Sequence, residues 1–196
     1  MRHSLRIEGF LYALRPVEMA DAEFIVELRT ADPNYVRYIH RTSSDASKQR
    51  EWLDDYFTRD LDYYWVVERR SNHEGEGLVG LYNINPVERT AEWGRWVIRK
   101  GSLAAVESAL LTYRTGFETL KLDTLYSITA IANSHVVSFH DSCGLHRAAI
   151  LKEHLRLGDS LHDAVKHVCP KESWPALNSR LEPQAQRIAK RLGWVP

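Results

Sequence analysis

In WGRWVIRKGSLAAVESALL, residues 93–111, an apolar run abuts Arg-Lys-Gly-Ser and passes at once into an amphipathic helix pattern. The run belongs to a strand, AEWGRWVIR (91–99). The helix continues through residue 120, with Leu103, Val106, Leu110, Tyr113, Phe117 and Leu120 spaced by alternating threes and fours, the stripe of a helix lying on a sheet. A helix N-terminus presents unpaired N–H groups and about half a positive charge, so a Gly-Ser turn with no bulky side chain in the way makes an anion pocket. Arg99 and Lys100 sit beside it. Gly101 serving the turn and Ser102 capping the helix would explain the same residues without a ligand. Neither G-x-x-x-x-G-K nor G-x-G-x-x-G is present.

Outward from this junction the chain alternates elements without a linker or repeat. FLYALRP (10–16) reads as a strand closed by Pro16, and VEMADAEFIVELRT as a helix with Phe24, Ile25 and Leu28 inward. SSDASKQREWLDDYF has a Ser or Asp cap and places Trp52, Leu53, Tyr56 and Phe57 at helical spacing. DYYWVVERR (62–70), LVGLYNINP (78–86) and 91–99 read as three consecutive antiparallel strands. After the central helix come a strand rich in β-branched residues (123–132), a short helix stopped by Gly144, and a final pair of strands. The order β α α β β β α β α β β predicts an α/β or α+β fold, one sheet with helices on its faces. A last segment from Ser173 reads as helical and broken at Pro183, with Leu181, Ile188 and Leu192 able to dock on the domain or on a second subunit as a homodimer.

The chain has 196 residues, enough for one sizeable core and too few for two ordinary domains. It carries 26 basic and 26 acidic side chains, so no global field draws it to nucleic acid or an anionic membrane. No basic stripe interleaved with aromatics points to nucleic acid either. Cys143 and Cys169 lack metal-ligand spacing and are too few for a disulfide framework, which fits a reducing compartment. The first residues lack a long apolar core and no stretch of about 18 apolar residues occurs, so a cytoplasmic, unexported protein is expected.

The same order of elements, with the Gly-Ser loop after the fourth strand, resembles the GNAT acetyltransferases. LRPVEMADAEFIVELR matches their opening strand and helix; GLVGLYNIN and AEWGRWVI resemble their third and fourth strands. NSHVVSFHDSCGL (133–145) is similar to the family's N-x-x-A-x-x-F-Y-x-x-x-G-F. Glu92-Trp93-Gly94 is the most specific point, shared with the subgroup of ribosomal-protein and nucleotide-sugar N-acetyltransferases. The resemblance implies a mostly antiparallel sheet of about seven strands, splayed between the fourth and fifth. It makes residues 1–170 the acetyltransferase domain and 171–196 a helical extension packed on it.

By that resemblance the cosubstrate is acetyl-CoA, without a metal. Val97, Ile98, Arg99, Lys100, Gly101, Ser102, Leu103 and Ala104 would hold it, its pyrophosphate on the 99–104 loop, with Asn133, Ser138, Phe139 and His140 along the pantetheine arm. His140 stands where the family commonly has a tyrosine that protonates the departing thiolate. An imidazole has the chemistry for that role, although an exposed surface histidine is the simpler alternative. Glu92 is the candidate base, because an amine arriving as ammonium must lose a proton before it attacks. Plain strand alternation puts Glu92, Gly94 and Trp96 on one face and Trp93, Arg95 and Val97 on the other. Arg29, Asn34, Tyr35, Arg37 and Tyr38 on one side, and Tyr82, Asn83 and Asn85 on the other, form the expected acceptor wall, with Trp96 also facing substrate. Aromatic faces and amides suit a sugar ring and arginines a nucleotide diphosphate. A small-molecule amine such as a nucleotide-linked amino sugar is the expected acceptor; a peptide N-terminus, or CoA binding without transfer, are the alternatives.

Overall fold

The computed structural model of the chain describes residues 3–32 and 37–194. Eight strands form one sheet in the order β1-β2-β3-β4-β5-β6-β8-β7. They are β1 (Ile7–Glu8), β2 (Tyr12–Pro16), β3 (Tyr63–Arg69), β4 (Gly75–Asn85), β5 (Thr90–Ile98), β6 (Thr124–Ala130), β7 (His146–Leu157) and β8 (Ser160–Pro170). Every pairing is antiparallel except β5 with β6. The eighth strand, β1, is two residues long; the other seven are those read from the sequence.

Among the described residues five α-helices cover the sheet: α1 (Ala22–Thr30), α2 (Ala46–Tyr56), α3 (Ala105–Arg114), α4 (Ser134–Ser142) and α5 (Trp174–Arg191). Alternation along the strands sorts the core into two layers. Tyr64, Val66 and Leu78 face α1 and α2, joining Ile25, Leu53 and Tyr56. Trp65, Val67, Val79, Leu81 and Trp93 face α3 and α5, joining Leu110, Tyr113 and Phe117. Asp45 caps α2 by accepting the Ser47 N–H at 2.8 Å, and Gly144 ends α4 with a left-handed φ of 77°.

The terminal helix departs from its reading. Pro183 lies inside α5 and does not break it. A mid-helix proline forfeits one backbone bond, at a cost of about 3 kcal/mol. Packing on both sides of it offsets this: Trp174, Leu177 and Leu181 before, and Ala185 and Ala189 after, are all buried, while Pro183 itself is exposed. The docking stripe is therefore this series, and it packs within the chain; Ile188 is half-buried and Leu192 exposed. Among the described residues no helix is long and apolar enough to cross a membrane.

Candidate active site

β5 pairs with β6 only through Thr90–Glu92, opposite Thr124–Tyr126, so from Trp93 onward the sheet opens. On its other side β5 pairs with β4 as Gly80↔Gly94 and next as Leu78↔Val97. Arg95 and Trp96 thus stand opposite Val79 alone, a bulge, with Arg95 in the left-handed region at φ 51°. The extra residue resets the alternation. Glu92, Arg95 and Val97 face the α1–α2 side, whereas Trp93, Trp96 and Ile98 face α3. The expectation that Trp96 shares a face with Glu92 is corrected by this bulge.

The aromatic beside Glu92 is instead Tyr82. Its hydroxyl donates to Glu92 Oε1 at 3.0 Å, and Asn83 Nδ2 donates to Oε2 at 3.0 Å. Burial, and then the charge of Glu92, hold the Tyr82 phenol well above its ordinary pKa, so it stays protonated. Gly94 makes the arrangement possible, since a Cβ there would stand 2.5 Å from the phenol oxygen. Over the Tyr82 ring, 4.3 Å from its centroid, lies the Arg95 guanidinium, which grips Asp62 with both arms at 2.5 and 2.8 Å.

Three clefts meet at the opening. One of about 490 Å³ is walled by Trp96, Val97, Ile98, Lys100, Ala105 and Asn133. A second of about 100 Å³ is the splay itself, lined by Trp93, Arg95, Trp96, Ser127, Asn133 and His140. The third, about 440 Å³, lies on the α1–α2 side among Arg29, Arg41, Lys48, Trp52, Tyr64, Tyr82 and Arg95. Trp96 and Asn133 border the first two and Arg95 the last two, so the clefts form one passage through the sheet.

At the far end of the first cleft, Gly101 adopts φ 85° with no atom within 4 Å of where a Cβ would stand. Ser102 Oγ accepts the Ala104 N–H at 3.1 Å and donates to Glu76, tightening the turn before α3. Leu103 is half exposed, turned to solvent instead of across the turn. The first N–H groups of α3 have no intrahelical acceptors, and Lys100 lines the cleft beside them. Open backbone, a helix N-terminus and a cation together fit a pyrophosphate.

His140 is 1 % exposed, not a surface residue. Its Nε2 lies 3.2 Å from Ser127 Oγ, its ring packs edge-on to Trp93, and its Nδ1 has no partner. Desolvation, reinforced by the neighbouring His167, pushes its pKa down to about 3. The imidazolium that a general acid would need is then present in about one molecule in ten thousand at pH 7. The tautomer follows from the same contacts: an unmatched buried N–H costs more than an unmatched lone pair. Nε2 therefore carries the hydrogen and donates to Ser127, leaving the serine hydroxyl free to donate into the splay. Among the described residues no group of three His, Cys, Asp or Glu is arranged to hold a metal ion.

The family model of the acetyltransferase (GNAT) domain matches residues 12–146, which contain this whole passage. The chain belongs to the GNAT acetyltransferase family. This GNAT chain is 25 % identical over 170 residues to YdaF of Bacillus subtilis, whose name proposes a ribosomal N-acetyltransferase, covering 82 % of the chain and 92 % of the relative. It is 26 % identical over 133 residues to spermidine N(1)-acetyltransferase of Escherichia coli K12, covering 61 % of the chain and 72 % of that protein. Among solved structures, apo FdhC, a nucleotide-linked sugar GNAT, superposes with a TM-score of 0.75 at 28 % identity, over 91 % of this chain and 97 % of that one. These relatives and the family model make the protein an N-acetyltransferase.

Within this GNAT domain the residues singled out from the sequence fall in different places. Val97, Ile98, Lys100 and Asn133 line the first cleft, and Asn133 makes no capping bond with its side chain. Arg99 turns away, 3.4 Å from Glu27 and over the Phe24 ring. Ala104 is buried, Ser138 is exposed on α4 outside the clefts, and Phe139 packs 5.0 Å from Trp96 as a support. Arg29 and Tyr82 line the third cleft; Asn83 lies outside it and holds Glu92, while Trp96 belongs to the first cleft and the splay. Tyr35 and Asn34 lie outside the described residues. Ser127, Arg95, Arg41 and Lys48 were not anticipated. The polar Ser127 inside the β-branched run TLYSITA was the one readable signal for any of them.

Proposed function

We propose that this enzyme transfers the acetyl group of acetyl-CoA directly to the primary amine of a small molecule, an amino sugar or a nucleotide-linked amino sugar. The lining of the third cleft carries this reading. Trp52, Tyr64 and Tyr82 supply aromatic walls for a sugar, Arg29, Arg41 and Lys48 supply positive charge, and no carboxylate lines it among the described residues. A polyamine would meet like charge there, and a peptide N-terminus would find no acidic partner. The likeness to a nucleotide-linked sugar GNAT supports the same acceptor class.

Acetyl-CoA supplies the activated acetyl group on its thioester. The first cleft, from Gly101 and Lys100 to Asn133, would hold it, with its reactive end at the splay between Trp96 and Ser127. Backbone groups of β5 beyond Glu92 that face β6 lie outside the strand ladder and are free to bond there. The amine enters from the Tyr82 side and first gives up a proton. Glu92 reaches no cleft directly, so the proton passes by relay: Tyr82 takes it on its oxygen while handing its own hydrogen to Glu92 Oε1. The neutral His140 orients Ser127, whose hydroxyl donates to a ligand atom in the splay.

The test is acetyl-CoA-dependent thiol release with a panel of amines. Nucleotide-linked and phosphorylated amino sugars are expected to turn over with kcat/KM above that of spermidine or an N-terminal peptide. Preference for spermidine would overturn the acceptor class and leave acetyl transfer standing.

A further inference from the structure

A fourth cleft, about 430 Å³, adjoins the acceptor cleft and shares Arg29, Arg41 and Thr42 with it. Its floor is the C-terminal turn of α1; one wall is the segment 37–42 and the other the tip of the β7–β8 hairpin, Leu157, Gly158 and His162. Arg29, Arg37, Arg41 and His162 converge on it, and no Asp or Glu lines it among the described residues. None of the ion pairs within the described residues engages Arg29, Arg37 or Arg41. Arg29 is aimed by neutral acceptors alone, donating through Nε to Thr42 Oγ1 at 2.6 Å and through its other arm to the His40 carbonyl at 3.0 Å. Gly158, at φ 64°, lets the Arg41 guanidinium lie against the hairpin, because a Cβ there would stand 3.1 Å from it.

Three arginines lining one cleft without a carboxylate leave a positive surface that an anion would offset. Guanidinium forks match pairs of phosphate oxygens in planar geometry. We propose that this fourth cleft is a subsite for a diphosphate carried by the acceptor, whose amine-bearing ring lies in the adjoining cleft against Trp52, Tyr64 and Tyr82. The assignment rests on the acetyltransferase reading above. It also divides the labour of the arginines: Arg29 and Arg41 face both chambers, while Arg37 borders the cofactor-side cleft as well.

CoA also carries a diphosphate, and the experiment separates the two sources. Inorganic pyrophosphate and uridine diphosphate are titrated calorimetrically into the protein with acetyl-CoA already saturating. Binding of both is expected to persist, to weaken about tenfold or more in Arg41→Ala, and to be recovered only in part by Arg41→Lys, which keeps the charge and loses the fork. Acetyl-CoA affinity is expected within twofold of wild type in both variants, with unchanged melting, since Arg41 is exposed. Absence of pyrophosphate and uridine diphosphate binding at millimolar concentration, their displacement by CoA, or indifference to Arg41→Ala would each overturn the subsite. Failure of acetyl-CoA itself to bind would instead strike the acetyltransferase reading.

Discussion

Buried and neutral, His140 should cost the protein stability in mild acid. Its pKa is about 6.5 when unfolded and about 3 when folded. Between those values the unfolded chain holds the proton and the folded one does not, so stability falls as pH drops below 6.5. From pH 7.5 to 5.0 the loss worked from these two values is about 2 kcal/mol. Glu107 acts in the opposite sense, because burial raises its carboxyl from 4.5 to about 7 against the pull of three backbone N–H groups. The two groups oppose each other in the wild-type pH profile, so the histidine must be isolated by difference. Urea unfolding of wild type and His140→Phe at pH 7.5, 6.0 and 5.0 does this, whatever the variant's overall stability. The gap between the two curves should move by about 2 kcal/mol in favour of the variant as pH falls to 5.0. Parallel curves would refute the buried neutral imidazole, and with it the tautomer assigned to Ser127. The same reasoning predicts that kcat of wild type shows no descending limb near pH 6.5 that disappears in the variant.

Tyr82→Phe and Glu92→Gln should each lower kcat at pH 7, with acetyl-CoA affinity unchanged, and the loss should lessen at high pH where the amine arrives deprotonated; equal impairment at all pH values would remove the relay. Glu107 Oε1 accepts the N–H groups of Phe10, Leu11 and Tyr12 at 2.5, 3.1 and 3.2 Å. Glu107→Ala should therefore destabilise by about 3 kcal/mol in urea unfolding, whereas Glu107→Gln keeps an acceptor and loses little. The wild-type carboxyl, protonated in the folded state up to about pH 7, makes its stability fall by about 3 kcal/mol from pH 4.5 to above 7 relative to Glu107→Gln. Gly101→Val forces a β-branched residue into φ 85°, a strain of about 1–3 kcal/mol, and should weaken acetyl-CoA binding measured by calorimetry; binding unchanged would detach the loop from the cofactor.

Most of the architecture was readable because period and punctuation agree along this chain. The stripe from Val106 to Phe117, the Gly144 stop and the three antiparallel strands each rest on local spacing that tertiary packing did not override. Pro183 misled because its cost is local while the compensating burial of Trp174, Leu181 and Ala185 lies across the helix interface. Within the site, Lys100 beside Gly101, Asn133 just ahead of α4 and Tyr82 on β4 were legible as positions bordering the clefts. His140 was named, but its burial beneath Trp93 and beside His167 depends on two residues 74 positions apart in the chain, and no spacing reports that. The cationic lining was dispersed over residues 29, 41, 48 and 95, which converge only when α1, α2 and β5 fold together.

The bulge at Arg95 decides which face of the sheet each later residue of β5 meets. Deleting Arg95 would leave Trp96, Val97 and Ile98 on their present faces, whereas straightening the strand with every residue kept would carry Trp96 and Ile98 across the sheet, away from α3. The indole that closes the cofactor side would then fill the acceptor side instead. A relative whose alignment opens a one-residue gap at position 95 therefore keeps the same passage through the sheet and lacks only the arginine in its wall.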